Sequence, residues 1–79
     1  MSERRFLLRE GYVTDVDDKR VSMAVSVEAV AVVAADVERK RLRMLSDQGT
    51  YLASIDWPEH VDNAPDAMQW FFDAVMPSW

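Results

Sequence analysis

The chain has 79 residues and a formal net charge of −5 at pH 7, a length that predicts one domain with a small core. It contains no cysteine, which excludes disulfide bonds and thiolate metal sites. One histidine and two glycines provide neither the usual zinc motifs nor a glycine-rich phosphate-binding loop. The sequence therefore predicts a single small domain over residues 1–79, with no metal, no cofactor and no catalytic motif.

The basic residues are confined to the first part of the chain. All nine lysines and arginines lie at or before Arg43, whereas residues 44–79 carry six carboxylates, no base and a net charge of −6. The same stretch contains six of the eight aromatic residues. An acidic surface repels phosphates and attracts cations. We therefore expect residues 44–79 to make no direct contact with nucleic acid and to face a basic surface on a partner protein.

The apolar runs of the chain are short. Residues 6–8 form a run of three near the N-terminus, whereas a signal peptide needs roughly 7–15 apolar residues. The longest run, residues 29–35, is far below the ~20 residues that span a bilayer. We therefore expect a cytoplasmic protein that makes no contact with membranes.

The first predicted element in chain order is a β-hairpin. Residues 12–16 are rich in β-branched and aromatic side chains, and residues 20–25 alternate between apolar and polar. Residues 17–19 between them predict a tight turn. Residues 6–9 extend the first strand backwards, with Gly11 as a bulge or bend.

Residues 27–38 fit both a helix and a strand. Apolar residues recur there at helical spacing, and Ser26 suits the N-cap of a helix. The odd positions from Val21 to Val37 are also all apolar, as in a buried strand, although one strand of 17 residues would be about 56 Å long. Length and alanine content favour the helix, whereas the β-branched valines oppose it. We predict a helix, with a strand as the alternative.

The second hairpin is the clearest local prediction. Residues 40–46 and 50–57 alternate on either side of a turn at 47–49, where Gly49 can adopt a positive φ. This alternation places the basic side chains of the first strand toward solvent and gives the second strand one apolar face. The predicted solvent face comprises Arg39, Arg41 and Arg43; the predicted apolar face comprises Tyr51, Ala53, Ile55 and Trp57.

The last predicted element is a helix over residues 65–76. Pro65 suits its first turn, Asp66 suits its positive end, and Pro77 stops it. One side of this helix is apolar and comprises Ala67, Met68, Phe71, Phe72, Val75 and Met76. The sequence as a whole predicts a small α+β domain, in which two β-hairpins form an antiparallel sheet with helices packed on it in the order ββαββα.

The leading functional hypothesis is a non-enzymatic protein–protein interaction module, a small acidic adaptor or inhibitor that docks on a basic surface of a larger protein. A homodimer is a second arrangement that suits a domain with a small core. Tryptophans favour interfaces because they bury a large area and keep one donor, and carboxylates attract a basic partner. The candidate protein-binding residues are Trp57, Asp62, Asp66, Trp70, Asp73 and Trp79, of which Trp70 and Trp79 fit a core edge and an interface equally well.

Two alternative functions use overlapping residues. A small-ligand-binding domain would have an aromatic pocket lined by Tyr51, Trp57 and Trp70. A small enzyme would use Glu59, His60 and Asp62, the only histidine with its neighbouring carboxylates, as acid–base groups. No nucleophile lies at a defined spacing from these residues, so the enzyme is the weakest of the three hypotheses.

Overall fold

Short alternating segments give five strands, and the one strongly amphipathic segment gives the helix. The computed structural model describes residues 5–76. The elements are β1 Phe6–Gly11, β2 Val21–Ser26, a 3₁₀ turn at Val27–Ala29, β3 Val32–Asp36, β4 Arg41–Leu45, β5 Tyr51–Asp56 and α1 Ala64–Trp70, which continues into a π-helical turn at Phe71–Val75. The fold is therefore mixed α+β, but its order is βββββα and not the predicted ββαββα. No helical segment within residues 5–76 has the length and apolar character needed to cross a membrane.

The strands form two antiparallel sheets. One contains β1 and β2, and the other contains β3, β4 and β5 in that order, so the prediction of a single sheet is wrong. The two sheets touch at one bridge, where Tyr12 N donates to Ser54 O at 2.8 Å and Ser54 N donates to Tyr12 O at 2.9 Å. Within residues 5–76 no further bridge joins β1 to β5.

Gly11, the last residue of β1, lies where the two sheets touch. A Cβ atom at this position would collide with the carbonyl oxygen of Ser54 and the Cε methyl of Met23. We expect Gly11→Ala to lower the free energy of unfolding by about 2–3 kcal/mol, because the backbone cannot retreat without breaking the bridge. Urea denaturation measures this loss.

Gly49→Ala is the matched control for that substitution. A Cβ atom added at Gly49 has no atom within 4 Å, but the φ of 81° disfavours alanine, so we expect a loss of about 1 kcal/mol. A loss for Gly11→Ala no greater than this would contradict the steric explanation.

Residues 27–38 are not a helix. The chain makes one 3₁₀ turn at Val27–Ala29 and then enters β3, which pairs with β4 from Val32↔Leu45 to Asp36↔Arg41. The β-branched valines and the partner strand together outweigh the helical spacing. The alternative of a strand is therefore confirmed for Val32–Asp36, and the turn divides the long alternating run into β2 and β3.

The first hairpin begins earlier than predicted. Its strands are β1 and β2, so residues 6–9 belong to a strand as expected, whereas residues 13–16 do not. Residues 13–20 form a loop, in which Thr14 Oγ1 accepts from Asp17 N at 3.0 Å and Asp17 Oδ1 accepts from Lys19 N at 2.9 Å. Such side-chain bonds to the backbone compete with a strand ladder.

The second hairpin has the predicted strands and turn. β4 and β5 pair in antiparallel register, and Gly49 in the connecting turn has a φ of 81°. Leu42 and Met44 are 0% exposed, as the alternation predicted. β4 also pairs with β3, which makes it the central strand of its sheet.

Tyr51 does not share the apolar face that was predicted for it. A β-bulge between Met44 and Leu45 shifts the register, so the alternation is reset at the start of β5. The Tyr51 hydroxyl lies 2.8 Å from Ser54 Oγ and donates to the Tyr12 carbonyl at 3.2 Å. Its polar contacts thus lie on the side of β5 away from the core.

The helical segment follows the prediction for residues 65–76 closely. Asn63 is the N-cap, because its Oδ1 accepts from Asp66 N at 2.9 Å, and its Nδ2 donates to Asp66 Oδ2 at 3.0 Å. The π-helical turn closes where Met76 N donates to Phe71 O at 2.8 Å. Phe72 is 43% exposed, so its predicted place on the apolar side is wrong.

The core lies between the sheets and the inner side of the helical segment. Its largest fully buried side chains are Phe71, Leu42 and Met44. The other buried members are Leu7, Val25, Val30, Ala53, Ile55, Trp57, Val61, Ala67, Val75 and Met76.

Candidate functional site

The outer side of the helical segment carries carboxylates. Asp66, Gln69 and Asp73 follow one another at helical spacing, and Asp62 precedes Asp66 by four residues. All four residues are exposed. Gln69 Nε2 donates to Asp73 Oδ2 at 2.6 Å, which links two successive turns. We term Asp62, Asp66, Gln69 and Asp73 the acidic helix face.

The carboxylates of the acidic helix face form no ion pair within residues 5–76. The carboxylates that do pair with bases in this part of the chain all precede residue 57. They are Asp15, Asp18, Glu28, Asp36 and Asp56. Within this part of the chain no contacting base therefore offsets the negative charge of the acidic helix face. That charge gives the surface a negative electrostatic potential.

The prediction that Arg41 faces solvent is wrong, because its side chain is largely covered. Its side chain is 12% exposed, and its guanidinium carbon lies 3.5 Å from the centroid of the Tyr12 ring. Arg41 Nη2 lies 3.2 Å from Asp18 Oδ1, and Arg41 Nε lies 3.5 Å from Asp56 Oδ1. The loop of residues 13–20, which carries Asp15 and Asp18, covers this part of β4. The strand pattern alone could not predict that contact. Arg39, with a side chain 48% exposed, is the most open of the three arginines predicted to face solvent.

Arg43 pairs with Asp15 Oδ1 and with Asp36 Oδ2, each at 2.9 Å. The backbone N–H of Arg39 donates to Asp36 Oδ1 at 3.2 Å. This hydrogen bond and the positive charge of Arg43 lower the pKa of the Asp36 carboxyl, although burial opposes the shift. A carboxyl with a lowered folded-state pKa stabilises the fold above its unfolded-state pKa of about 3.9, and this stabilisation is lost as the pH falls through the folded-state pKa.

We therefore expect Asp36→Asn to be less stable than the unchanged chain at pH 7. The difference in the free energy of unfolding should shrink as the pH falls below about 4. Urea denaturation at stepped pH values measures it. Asp47→Asn, at an exposed turn residue without an ion pair in the described residues, is the matched control. A difference for Asp36→Asn that stayed constant down to low pH would show that the side chain acts through packing and not through charge.

A cleft of about 860 Å³ is lined in part by residues of β1 and β5. Trp57 and Trp70 line it, whereas Tyr51 does not. Trp57 is 6% exposed, and its backbone N–H donates to the Lys40 carbonyl at 2.8 Å. The indole Nε1 of Trp57 is buried and has no hydrogen-bond partner within the described residues. The structure thus brings together two of the three residues predicted for an aromatic pocket.

Of the remaining predicted site residues, Glu59 reaches the cleft, and the others lie apart from it or outside the described part of the chain. His60 and Asp62 are exposed, and within residues 5–76 neither side chain hydrogen-bonds to another side chain. Glu59 is exposed as well and lines the cleft. Trp79 lies outside the described residues.

Sequence reasoning did not single out three residues that shape these surfaces. Asn63 caps α1, and an Asn three residues before Asp66 at the start of an amphipathic segment is a signal that could have identified it. The contact between Tyr12 and Arg41 joins distant segments, so no local pattern indicates it. Lys40 adopts a positive φ of 53° that its residue type does not predict.

No protein-family model, no curated protein and no solved structure matches this chain. Its function must therefore be argued from its own geometry and charge.

Proposed function

We propose that this protein is a non-enzymatic protein–protein interaction module that docks its acidic helix face on a basic surface of a larger protein, as an adaptor or inhibitor. The observation that carries the proposal is the uneven pairing of charge. The acidic helix face forms no ion pair within residues 5–76, whereas five carboxylates nearer the N-terminus pair with bases. A surface of uncompensated charge steers and orients a partner of opposite charge.

Phe72 adds an apolar group beside the acidic helix face. Its ring packs edge-on against Phe71, with centroids 5.5 Å apart and planes at 82°, and 43% of the residue is exposed. An aromatic ring that is already held in place loses little conformational freedom on binding. The partner surface that fits is therefore basic with an apolar depression at its edge.

The proposed docking surface is smaller than the sequence predicts. Trp57 is only 6% exposed, and Trp70 lines the cleft together with it. We therefore leave both tryptophans out of the docking surface and keep Asp62, Asp66 and Asp73.

The test reverses charge on the acidic helix face without disturbing the helix cap. Asp62→Lys with Asp73→Lys changes two exposed carboxylates, and Asp66 is kept because it bonds to Asn63. The matched control is Glu38→Lys with Asp47→Lys, which changes the net charge equally at exposed turn residues away from the helix. Circular dichroism checks that both variants are folded.

Immobilised chain is used to capture partners from extracts of the cells that produce it, and bound proteins are identified by mass spectrometry. At an ionic strength of about 0.15 M we expect the helix variant to retain at least about tenfold less of a basic partner than the unchanged chain, because like charges repel across the interface. The control variant should retain the partner. Equal retention by both variants would overturn the proposal.

We also propose a homodimer as a second arrangement, through the outer edge of β2. Within the described residues β2 pairs with β1 alone. Val21–Ser26 contains neither a charged residue nor a proline, the features that commonly protect a free sheet edge. Light scattering over a range of concentrations should show a mass that rises toward that of a dimer. A constant monomer mass at high concentration would remove the homodimer and leave docking on a basic partner unaffected.

A further inference from the structure

The cleft carries charges as well as tryptophans. It is lined by four bases and three carboxylates, which give its lining a net charge of +1. The bases are Arg9, Arg20, Arg39 and Lys40, and the carboxylates are Glu10, Asp56 and Glu59. None of these residues belongs to the acidic helix face, so the cleft is a separate surface.

Two of the four bases are already engaged by carboxylates. Arg20 pairs with Asp56, and Arg39 Nη1 lies 3.7 Å from an Asp15 carboxylate oxygen. The other two bases, Arg9 and Lys40, form no ion pair within residues 5–76. The Arg9 guanidinium donates to the Leu8 carbonyl at 3.1 Å, and the hydrogen bond at Lys40 involves its backbone carbonyl. Two positive charges are thus available to a bound anion.

Lys40 occupies a backbone conformation that glycine or asparagine adopts more readily. Its φ is 53°, and it is the one non-glycine residue with a positive φ among the described residues. The backbone has a structural role there, because the Lys40 carbonyl accepts from Trp57 N at 2.8 Å. That role does not need an ammonium group. Lys40 also lines the cleft, where its ammonium group is available to a bound anion.

The rest of the lining defines what else a ligand needs. Trp57 lines the cleft, and its buried Nε1 has no acceptor within the described residues. Trp70, Ile55 and Pro58 supply apolar surface. Glu10 and Glu59 form no ion pair in the described part of the chain, and they oppose a ligand of high negative charge.

We infer that this cleft binds a small molecule with one carboxylate on a flat apolar body. Carboxylate oxygens accept charge-assisted hydrogen bonds from guanidinium and ammonium groups, which Arg9 and Lys40 provide. Arg9 and Lys40 together can hold one negative charge, whereas a phosphate monoester carries about two at neutral pH and is opposed by Glu10 and Glu59. The apolar body lies against Trp70 and Pro58.

The test uses benzoate as the probe, with benzamide as its neutral match and phenyl phosphate as the alternative anion. Proton–nitrogen NMR follows the indole N–H resonances, and Trp70→Phe and Trp79→Phe identify by elimination the resonance of Trp57. We expect benzoate to shift the Trp57 resonance with a dissociation constant on the order of 1 mM. Benzamide and phenyl phosphate should each bind at least about fivefold more weakly, because one lacks the charge and the other meets the carboxylates.

A matched pair of lysine variants locates the site. Lys40→Asn removes the ammonium and tolerates the positive φ, and we expect it to weaken benzoate binding about fivefold. Lys19→Asn, at an exposed residue that does not line the cleft, should leave the affinity unchanged. Equal binding of benzamide, equal affinity of the two lysine variants, or no shift of the Trp57 resonance would each overturn the inference.

The proposals for the cleft and for the acidic helix face can be tested independently. Asp62→Lys with Asp73→Lys changes no residue of the cleft lining, so it should keep the benzoate affinity while losing the basic partner. Lys40→Asn should do the reverse.

Discussion

Replacement of Phe71 by alanine is expected to lower the free energy of unfolding by about 3–5 kcal/mol, a large share of the stability of a domain of this size. Phe71 is 0% exposed and lies where α1 passes into the π-helical turn. Removal of its ring leaves a cavity between the helical segment and the sheets. Leu42 and Met44 cannot fill that cavity, because they belong to β4, which is held by a neighbouring strand on each side.

Urea denaturation followed by circular dichroism measures this loss, and Phe72→Ala is the matched control. Phe72 is 43% exposed but packs edge-on against Phe71, so its replacement should cost about 1–2 kcal/mol, below the loss at Phe71. If Phe71→Ala is unfolded without denaturant, Phe71→Leu keeps the comparison measurable, with an expected loss of about 1.5 kcal/mol or less. Similar losses at the two phenylalanines would contradict the assignment of Phe71 to the centre of the core.

The parts of the fold that the sequence predicts are those decided by local interactions. The second hairpin depends on two alternating segments and a glycine that can take a positive φ, and both signals lie within a few residues of each other. The helical segment depends on its apolar spacing and on Pro65 and Asp66 at its start. These signals need no knowledge of the rest of the chain.

The failures occur where a distant partner decides the structure. Residues 27–38 satisfy two periodicities, and only pairing of Val32–Asp36 with β4 selects the strand. Tyr51 changes face because of a bulge that belongs to the pairing of two strands and not to either sequence. Tyr12 leaves the predicted hairpin to bridge to Ser54, which is 42 residues away.

The candidate sites divide in the same way. Asp66 and Asp73 lie on an exposed side of the helical segment, which helical spacing alone predicts, and Asp62 lies in the exposed loop just before the N-cap. Trp57 and Trp70 share a cleft whose bases come from β1, the loop before β2 and the turn after β3. No sequence pattern indicates that convergence, so the sequence predicted the aromatic lining of a pocket and missed its charge.

Arg41→Ala is expected to lower the free energy of unfolding by about 2–4 kcal/mol, although an arginine on a strand pattern predicts a solvated residue of little consequence. Its guanidinium carbon lies 3.5 Å from the centroid of the Tyr12 ring, and its side chain is 12% exposed. Arg41 Nε lies 3.5 Å from Asp56 Oδ1, within the range of an ion pair, but it does not form a hydrogen bond. Stacking and charge therefore hold the side chain more than that contact does. Its removal leaves the partly buried Asp56 with Arg20 and with the Tyr12 hydroxyl, which donates to Asp56 Oδ2 at 3.1 Å.

Two further variants separate stacking from charge at Arg41. Arg41→Lys keeps the charge but loses the planar group that stacks on Tyr12, so it should recover only part of the loss. Arg39→Ala removes an arginine whose side chain is 48% exposed and should cost less than about 1 kcal/mol. If Arg41→Lys has the full stability of the unchanged chain, charge alone explains the contribution of Arg41. If Arg41→Ala loses as little stability as Arg39→Ala, the covered arginine adds no more stability than a surface one. The first outcome would contradict the stacking contribution. The second would contradict the whole prediction, because burial and the contact with Tyr12 distinguish Arg41 from Arg39 in the fold.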